Sequence, residues 1–529
     1  MSSSSPEIEF TPTSQQSPAP SGAETLEKQE HTYGQILSSS ALVGGSSALS
    51  ILIRILRAKV MAILLGPAGF GLFGLYGSIL SLTQTIFEFG INNSGVRQIA
   101  ASVGTGDHQK IAVTSMALRR TAVLLGVLAG GFLIIFARQV STVTFGDKQH
   151  AGAVMLLSLA VAFQLISEGQ GALIQGMRRI VDLAKMGVLG SLFGTIFSII
   201  LVYLLRERGV ALSLIAVGGT AILTSWWYSR KIRIPSTSVT NLQVLQEVPP
   251  LLKLGFAFMA SGCLTVGSAY LIRIMVLRRV GLEATGIYQS AWTIGGIYVS
   301  FILQAMSADF FPRLTASAKD NTLCNRLVNE QARAGLLLAA PGVLATLTFA
   351  PFVIVLFYSA KFHAAVGLLR WICLGSTLQV ITWPMVLIAV SKGRQGLYFA
   401  TQLAWSASSL AQAYLCIRWW GLDGAGIAFF GSYLAFGMIA YPVARSLTGF
   451  HWSAASKQTA SFFLILIAVV FCGFFFMSTP WATCLGALGT IVGTIYSVRV
   501  LSNLVSWEQI PAPLQRLLVL FRIQSRARQ

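Results

Sequence analysis

The chain has 529 residues, of which 54% are hydrophobic and only 11% charged, with a mean hydropathy of +0.70. A soluble domain carries about 25% charged residues, so the composition excludes a soluble globular enzyme and points to a polytopic membrane protein. The formal net charge of +20 would suggest nucleic acid in a soluble chain. Here the Lys/Arg-rich loops of any inner-membrane protein account for most of it, and no nucleic-acid partner is expected.

Residues 1–33 are rich in Ser, Pro, Gln and Glu and lack an apolar core. They predict a disordered cytoplasmic tail, not a signal peptide. Apolar segments of about 20 residues follow, each long enough to span the hydrocarbon. They lie near 37–62, 70–93, 113–137, 151–175, 182–205, 209–229, 251–278, 285–311, 332–358, 364–390, 396–418, 422–446, 458–478 and 481–504, about fourteen transmembrane helices in all. The first six form a lobe over 34–230. A cytoplasmic linker at 231–250 leads to a second six-helix lobe at 251–446. Two additional helices over 447–505 and a basic cytoplasmic tail at 506–529 complete the chain.

Loop charge sets the orientation. Loops after even-numbered helices, with their flanks, carry more than twice as many Lys and Arg as loops after odd-numbered ones. The even loops are therefore cytoplasmic, and so are both termini. Trp226-Trp227, Trp419-Trp420, Trp452 and Trp481 fall near predicted helix ends and read as an interfacial aromatic belt.

The two halves repeat. "LGPAGFGLF" (65–73) aligns with "VGLEATGIY" (280–288), pairing Gly66 with Gly281 and Gly71 with Gly286. "GVRQIAAS" aligns with "FPRLTASA" through Arg97 and Arg313, and "GMRRIVDLA" with "KGRQGLYFA" through Arg178 and Arg394. "GVALSLIA" aligns with "GLDGAGIA", pairing Gly209 with Gly421. The order is constant and the spacing nearly so. An even number of helices per half gives both halves the same topology, with a pseudo-twofold axis along the membrane normal and a substrate site between them.

Cys263, Cys324, Cys373, Cys416, Cys472 and Cys484 form no CxxC pair, and the five histidines show no ligand spacing. Neither metal nor cofactor is expected. The absence of GxxxxGK[ST] argues against nucleotide hydrolysis.

Charged residues inside apolar spans are the candidates for function, since an arginine at mid-membrane costs about 2.5–3.5 kcal/mol on the mildest scale. Arg54 and Arg57 are three apart and share a helix face. Lys59 points elsewhere and is placed to snorkel. Arg273, deep in helix seven, corresponds to Ala58 by the repeat offset. Glu88, Glu168 and Asp309 lie toward the cytoplasmic halves of their helices, where they could carry protons, pair with Arg97 or Arg313 as a gate, bind sugar hydroxyls, or form structural salt bridges at the cytoplasmic rim.

"LLGPAGFGLFGLYGSI", "ALIQGMRRIVDLA" and "WGLDGAGIAFFGSYLA" resemble the polysaccharide flippases of the multidrug/oligosaccharidyl-lipid/polysaccharide (MOP) superfamily, above all the Wzx-type O-antigen flippases. The resemblance covers roughly residues 35–446. It implies an all-α fold of two six-helix lobes forming a V-shaped MATE-like core, with the last two helices outside it. It implies a transporter, not an enzyme, moving an undecaprenyl-diphosphate-linked oligosaccharide (an O-antigen, exopolysaccharide or capsule unit) from the cytoplasmic to the periplasmic leaflet of a bacterial inner membrane. A polysaccharide polymerase and a chain-length regulator are the protein partners it allows, besides membrane lipid. Such flippases usually have twelve helices. The peptidoglycan-precursor flippases have fourteen, but their Asp-Ala-Phe-Phe run at the start of helix two reads "GFGLFGLYGS" here. That activity, drug/cation antiport and, further off, a membrane glycosyltransferase or polymerase are the alternatives. With a diphosphate substrate, Arg54, Arg57 and Arg273 become its expected ligands, because guanidinium forks match phosphate oxygens bidentately. Glu88, Glu168, Asp309, Arg97 and Arg313 become the ion-coupling or gating set.

Overall fold

A computed structural model describes residues 22–232 and 240–504, and shows among them fifteen α-helices and no strand. The first half comprises α1 (Gly22–Glu88), α2 (Ile91–Thr105), α3 (His108–Ile135), α4 (Ala137–Phe145), α5 (Ala151–Gly176), α6 (Ile180–Leu205) and α7 (Gly209–Ser229). The second comprises α8 (Asn241–Val280), α9 (Leu282–Ala316), α10 (Asn321–Thr348), α11 (Ala350–Phe357), α12 (Ala365–Ser391) and α13 (Gln395–Thr448), followed by α14 (Ala454–Phe476) and α15 (Thr479–Leu504).

Among the described residues eight helical runs are long and apolar enough to cross a bilayer, or up to ten if each of two bent pairs is one crossing. That measure does not return the fourteen expected. Two of its runs, Ile180–Ser229 with 50 residues and Gln395–Thr448 with 54, are each more than twice the roughly 20 residues one crossing needs.

Several boundaries differ from the sequence reading. The helix begins at Gly22, so residues 22–33 are helical despite their polar composition. Residues 1–21, the rest of that predicted tail, and the predicted tail at 506–529 lie outside the described residues. Of the predicted linker, 233–239 also lie outside. From Asn241 onward it is the first part of α8, started by a capping box of Thr240 with Gln243 and held to the first half by Arg120 Nη1 donating to Asn241 Oδ1 at 2.7 Å. The short helix α2 was not foreseen.

The repeat is visible in the backbone, and it corrects the alignment. α1 is broken at Gly66 (φ 68°, ψ −175°), and α8 passes to α9 through Gly281 (φ 110°, ψ 175°). These two breaks are the pair the sequence identified. The later pairs shift. Arg206 (φ 53°, ψ −129°) has the conformation of Gly421 (φ 58°, ψ −130°), and Arg178 (φ 56°) that of Gly393 (φ 71°). Arg179 therefore corresponds to Arg394, and both precede their helices at φ near −83°. Gly209 presses on the carbonyl of Leu201 as Gly424 presses on that of Cys416. A uniform spacing of 215 residues follows. Matching residue identities, Arg178 to Arg394 and Gly209 to Gly421, drew the sequence alignment off the backbone register.

Arg206 thus holds a positive-φ conformation that its repeat partner fills with glycine. Such strain costs on the order of 1–3 kcal/mol, and glycine returns roughly 0.4–1 kcal/mol through unfolded-state entropy. Arg206→Gly should stabilise the protein by about 1 kcal/mol net, less what is lost with its long hydrogen bond to the Leu64 carbonyl (3.3 Å). Thermal unfolding in detergent should show a higher Tm, whereas Arg206→Ala, which keeps the strain, should not.

Between lipid-facing helices the solvent is as apolar as leucine, so close packing of small residues does much of the joining. Gly126 and Gly130 of α3 rest on carbonyls of α5, and Gly169 on Ala122. The two halves are not independent. Met61 and Phe70 of α1 are buried in the core of the second half, while Tyr270 and Ile274 of α8 are buried in the core of the first. The pair α14–α15 packs on α10 and α12: Gly486 meets Thr348, and Trp371 meets Phe471 at 4.7 Å.

Candidate functional site

The two halves meet tightly where their helical breaks come together. A Cβ added to Gly71 would lie 2.5 Å from the Leu282 carbonyl oxygen and 2.9 Å from the Gly286 nitrogen. One added to Gly286 would lie 1.8 Å from the Pro67 carbonyl oxygen and 2.9 Å from the Gly71 nitrogen. Gly71 and Gly286 are repeat equivalents, so the local twofold passes between them. At the same end Arg278 of α8 donates to the carbonyls of Thr142 (3.0 Å) and Val143 in the last turn of α4, where a helix's free carbonyls favour a cation. We refer to this as the closed end.

Arg57 approaches the second part of α1 directly, and Arg273, from the other half, through Gln289. Arg57 lies over the Phe73 ring at 5.9 Å. Arg273, only 8% exposed, donates from Nε to Gln289 Oε1 at 2.8 Å and from Nη1 to the Ala269 carbonyl at 3.1 Å. It also faces the rings of Tyr288 and Trp292 at 5.9 and 5.7 Å. Gln289 in turn lies against Gly74, the neighbour of Phe73. Arg54 is set apart. Three residues along a helix turn the side chain through about 300°, so Arg54 and Arg57 diverge by about 60°. Arg54 is the one charged residue among the described lining of a cleft of about 540 Å³ between α1, α9, α10 and α11, walled by residues such as Ile55, Phe301 and Phe357.

The acids separate into two groups. Glu168 on α5 accepts a hydrogen bond from Gln84 of α1, its other oxygen is buried without a partner, and Glu88 is close enough to act on it electrostatically. Asp309 pairs with Arg313 one helical turn away at 3.0 Å, with both side chains mostly exposed. Arg97 is exposed on α2 and, among the described residues, forms no ion pair with these acids. The geometry therefore joins Glu88 with Glu168 and leaves Asp309–Arg313 as a surface pair, which contributes little.

Other features were not anticipated. Arg370, inside α12, lies 3.5 Å over the Phe474 ring and donates to the Leu347 carbonyl at 3.4 Å, tying α14 to the second half. Its apolar surroundings in "GLLRWICLG" were the available signal. Two adjoining chambers of about 190 and 200 Å³ lie wholly within the second half and share the wall residues Thr265, Gln379, Trp405 and Tyr433. Tryptophans in mid-span, unlike those at helix ends, could have marked them. Among the described residues no group of three or more His, Cys, Asp and Glu could hold a metal.

The family described as polysaccharide biosynthesis protein matches residues 36–317. The chain belongs to that family. It is 22% identical over 416 residues to the lipid III flippase of Escherichia coli (strain K12), a match covering 76% of this chain and 96% of the relative. The Shigella flexneri lipid III flippase matches equally. In fold it is similar to an inward-facing multidrug resistance MATE family transporter of the MOP superfamily (TM-score 0.63, 15% identity, 78% of this chain and 96% of that one). It is also similar to the lipid II flippase MurJ in an inward closed conformation (0.61, 13%, 87% and 98%). An outward-facing MATE transporter scores 0.56 at 15% identity, over 80% and 96%. The all-helical, two-lobed transporter fold expected from the sequence is thus present in this family member.

Proposed function

We propose that the chain is a flippase that carries an undecaprenyl-diphosphate-linked oligosaccharide from the cytoplasmic to the periplasmic leaflet by alternating access. The observation that carries this reading is that Arg57 directly, and Arg273 of the other half through Gln289, reach the neighbouring α1 residues Phe73 and Gly74, with an apolar cleft lined by the α1 stretch that carries Arg57 and by α9. An amphiphile with a diphosphate between sugar and lipid needs guanidinium donors next to a greasy groove. A cationic drug would meet three arginines. The lipid III flippase relatives support the same class of substrate.

The excess of Lys and Arg in the even loops supports cytoplasmic termini, which makes the closed end periplasmic and the state inward-facing. Deleting the gene should deplete surface polysaccharide and accumulate its lipid-linked unit on the cytoplasmic leaflet. Reporter fusions at residues 240 and 479 should read cytoplasmic and periplasmic. An unchanged polysaccharide together with an impaired cell wall would point instead to peptidoglycan precursor transport.

For coupling, Glu168 with Glu88 is the site the geometry favours. Glu168→Gln keeps the partner Gln84 and removes the charge. Transport per inserted protein should then lose its response to the imposed ion gradient, while Asp309→Asn should keep it. Retention of the response in a Glu88→Gln, Glu168→Gln double variant excludes this pair.

A further inference from the structure

We propose that the paired chambers of the second half bind the sugar rings of the substrate, an inference that rests on the flippase reading. No Asp, Glu, Lys or Arg is among their described lining, so the occupant is neutral there. The walls combine aromatic faces with hydrogen-bonding groups that make no bond within the protein. The Trp405 Nε1 is buried without a partner. Among the described residues the side chains of Ser376, Gln379, Ser409 and Tyr433 make no hydrogen bond, yet none of these four has a polar atom sealed away without a partner; they open on the chambers. Buried donors without partners are costly. A pyranose answers both requirements, with hydroxyls around its edge and C–H faces that lie on aromatic rings.

The repeat supplies an independent argument. At the 215-residue spacing, Trp292, Trp405, Ser409 and Tyr433 correspond to Gly77, Gly190, Gly194 and Gly218. In the first half three of these glycines let helices touch: a Cβ at Gly190, Gly194 or Gly218 would come within 3.2 Å of Thr224, Thr220 or Ala160. Where the first half closes its helices together, the second holds them apart around polar-aromatic space. The first chamber also shares Ala269, Tyr288 and Trp292 with the surroundings of Arg273. A sugar seated there lies next to the arginine assigned to the diphosphate.

The test uses the full chain in nanodiscs and two probes: bare undecaprenyl diphosphate, and the undecaprenyl-diphosphate oligosaccharide extracted from the producing cells. Wild type should bind the glycolipid more tightly than the bare lipid. Gln379→Met with Tyr433→Phe should cut that preference about 10-fold, as expected for two lost hydrogen bonds, with bare-lipid binding held within about twofold. Trp405→Phe, which removes one N–H and keeps an aromatic ring, should cut it less and serves if the double variant does not fold. Preference undiminished in variants that bind bare lipid normally overturns the proposal and leaves the flippase reading standing. Wild type binding neither probe overturns both.

Discussion

Gly286→Ala should hold the closed end apart. Its new Cβ would sit 1.8 Å from the Pro67 carbonyl oxygen, a backbone atom in a helix that cannot swing aside. Overpacking of this kind costs about 1–3 kcal/mol, and a rigid obstacle lies at the upper end, so the closed population should fall roughly 100-fold relative to the open one. Spin labels at Glu207 of the first half and at Thr479 of the α14–α15 pair packed on the second should report a longer distance, and surface polysaccharide per inserted protein should collapse. Gly71→Ala, obstructed by the Leu282 carbonyl at 2.5 Å, should behave alike. Gly77→Ala is the control: nothing lies within 4 Å of its Cβ. Normal transport by Gly286→Ala would mean that this seam need not close.

The second large effect is expected at Arg273. Replacement by alanine removes a guanidinium that could donate to a diphosphate, and a charge-assisted hydrogen bond contributes about 1.5–3 kcal/mol, or roughly 10- to 150-fold in affinity. Bare undecaprenyl diphosphate should bind correspondingly more weakly, and Arg57→Ala should act in the same direction. Lysine should restore only part of the loss, because it keeps the charge and lacks the fork. Lys59→Ala should be milder. A purely structural role for Arg273, in which it merely orients Gln289 and braces Tyr288, predicts reduced protein abundance with unchanged binding per molecule. Full binding by the Arg57→Ala, Arg273→Ala double variant places the diphosphate elsewhere.

Much of this was legible in the residues because it is written in local signals. Glycines at 66 and 281 mark the breaks, since only they tolerate such backbone cheaply. Arginines at 54, 57 and 273 stand out against apolar neighbours, and Asp309 with Arg313 is an ordinary i,i+4 pair. What the residues concealed depends on partners distant in sequence. That Arg54 and Arg57 divide between a cleft and an aromatic ring depends on how α1 folds back at Gly66. The chambers are assembled from Thr265, Gln379, Trp405 and Tyr433, on three helices with no shared motif. The backbone register was hidden because Arg206 occupies a conformation that, in the other half, belongs to Gly421.

The contact between Gly71 and Gly286 has a consequence for descent. Before the halves were joined in one chain, an unfused subunit pairing with its own copy would have set a single glycine against itself. Any substitution there would have struck both sides of the seam at once. Fusion removes that coupling. Each half can then change alone, and one is free to acquire tryptophan and tyrosine where its sister keeps glycine.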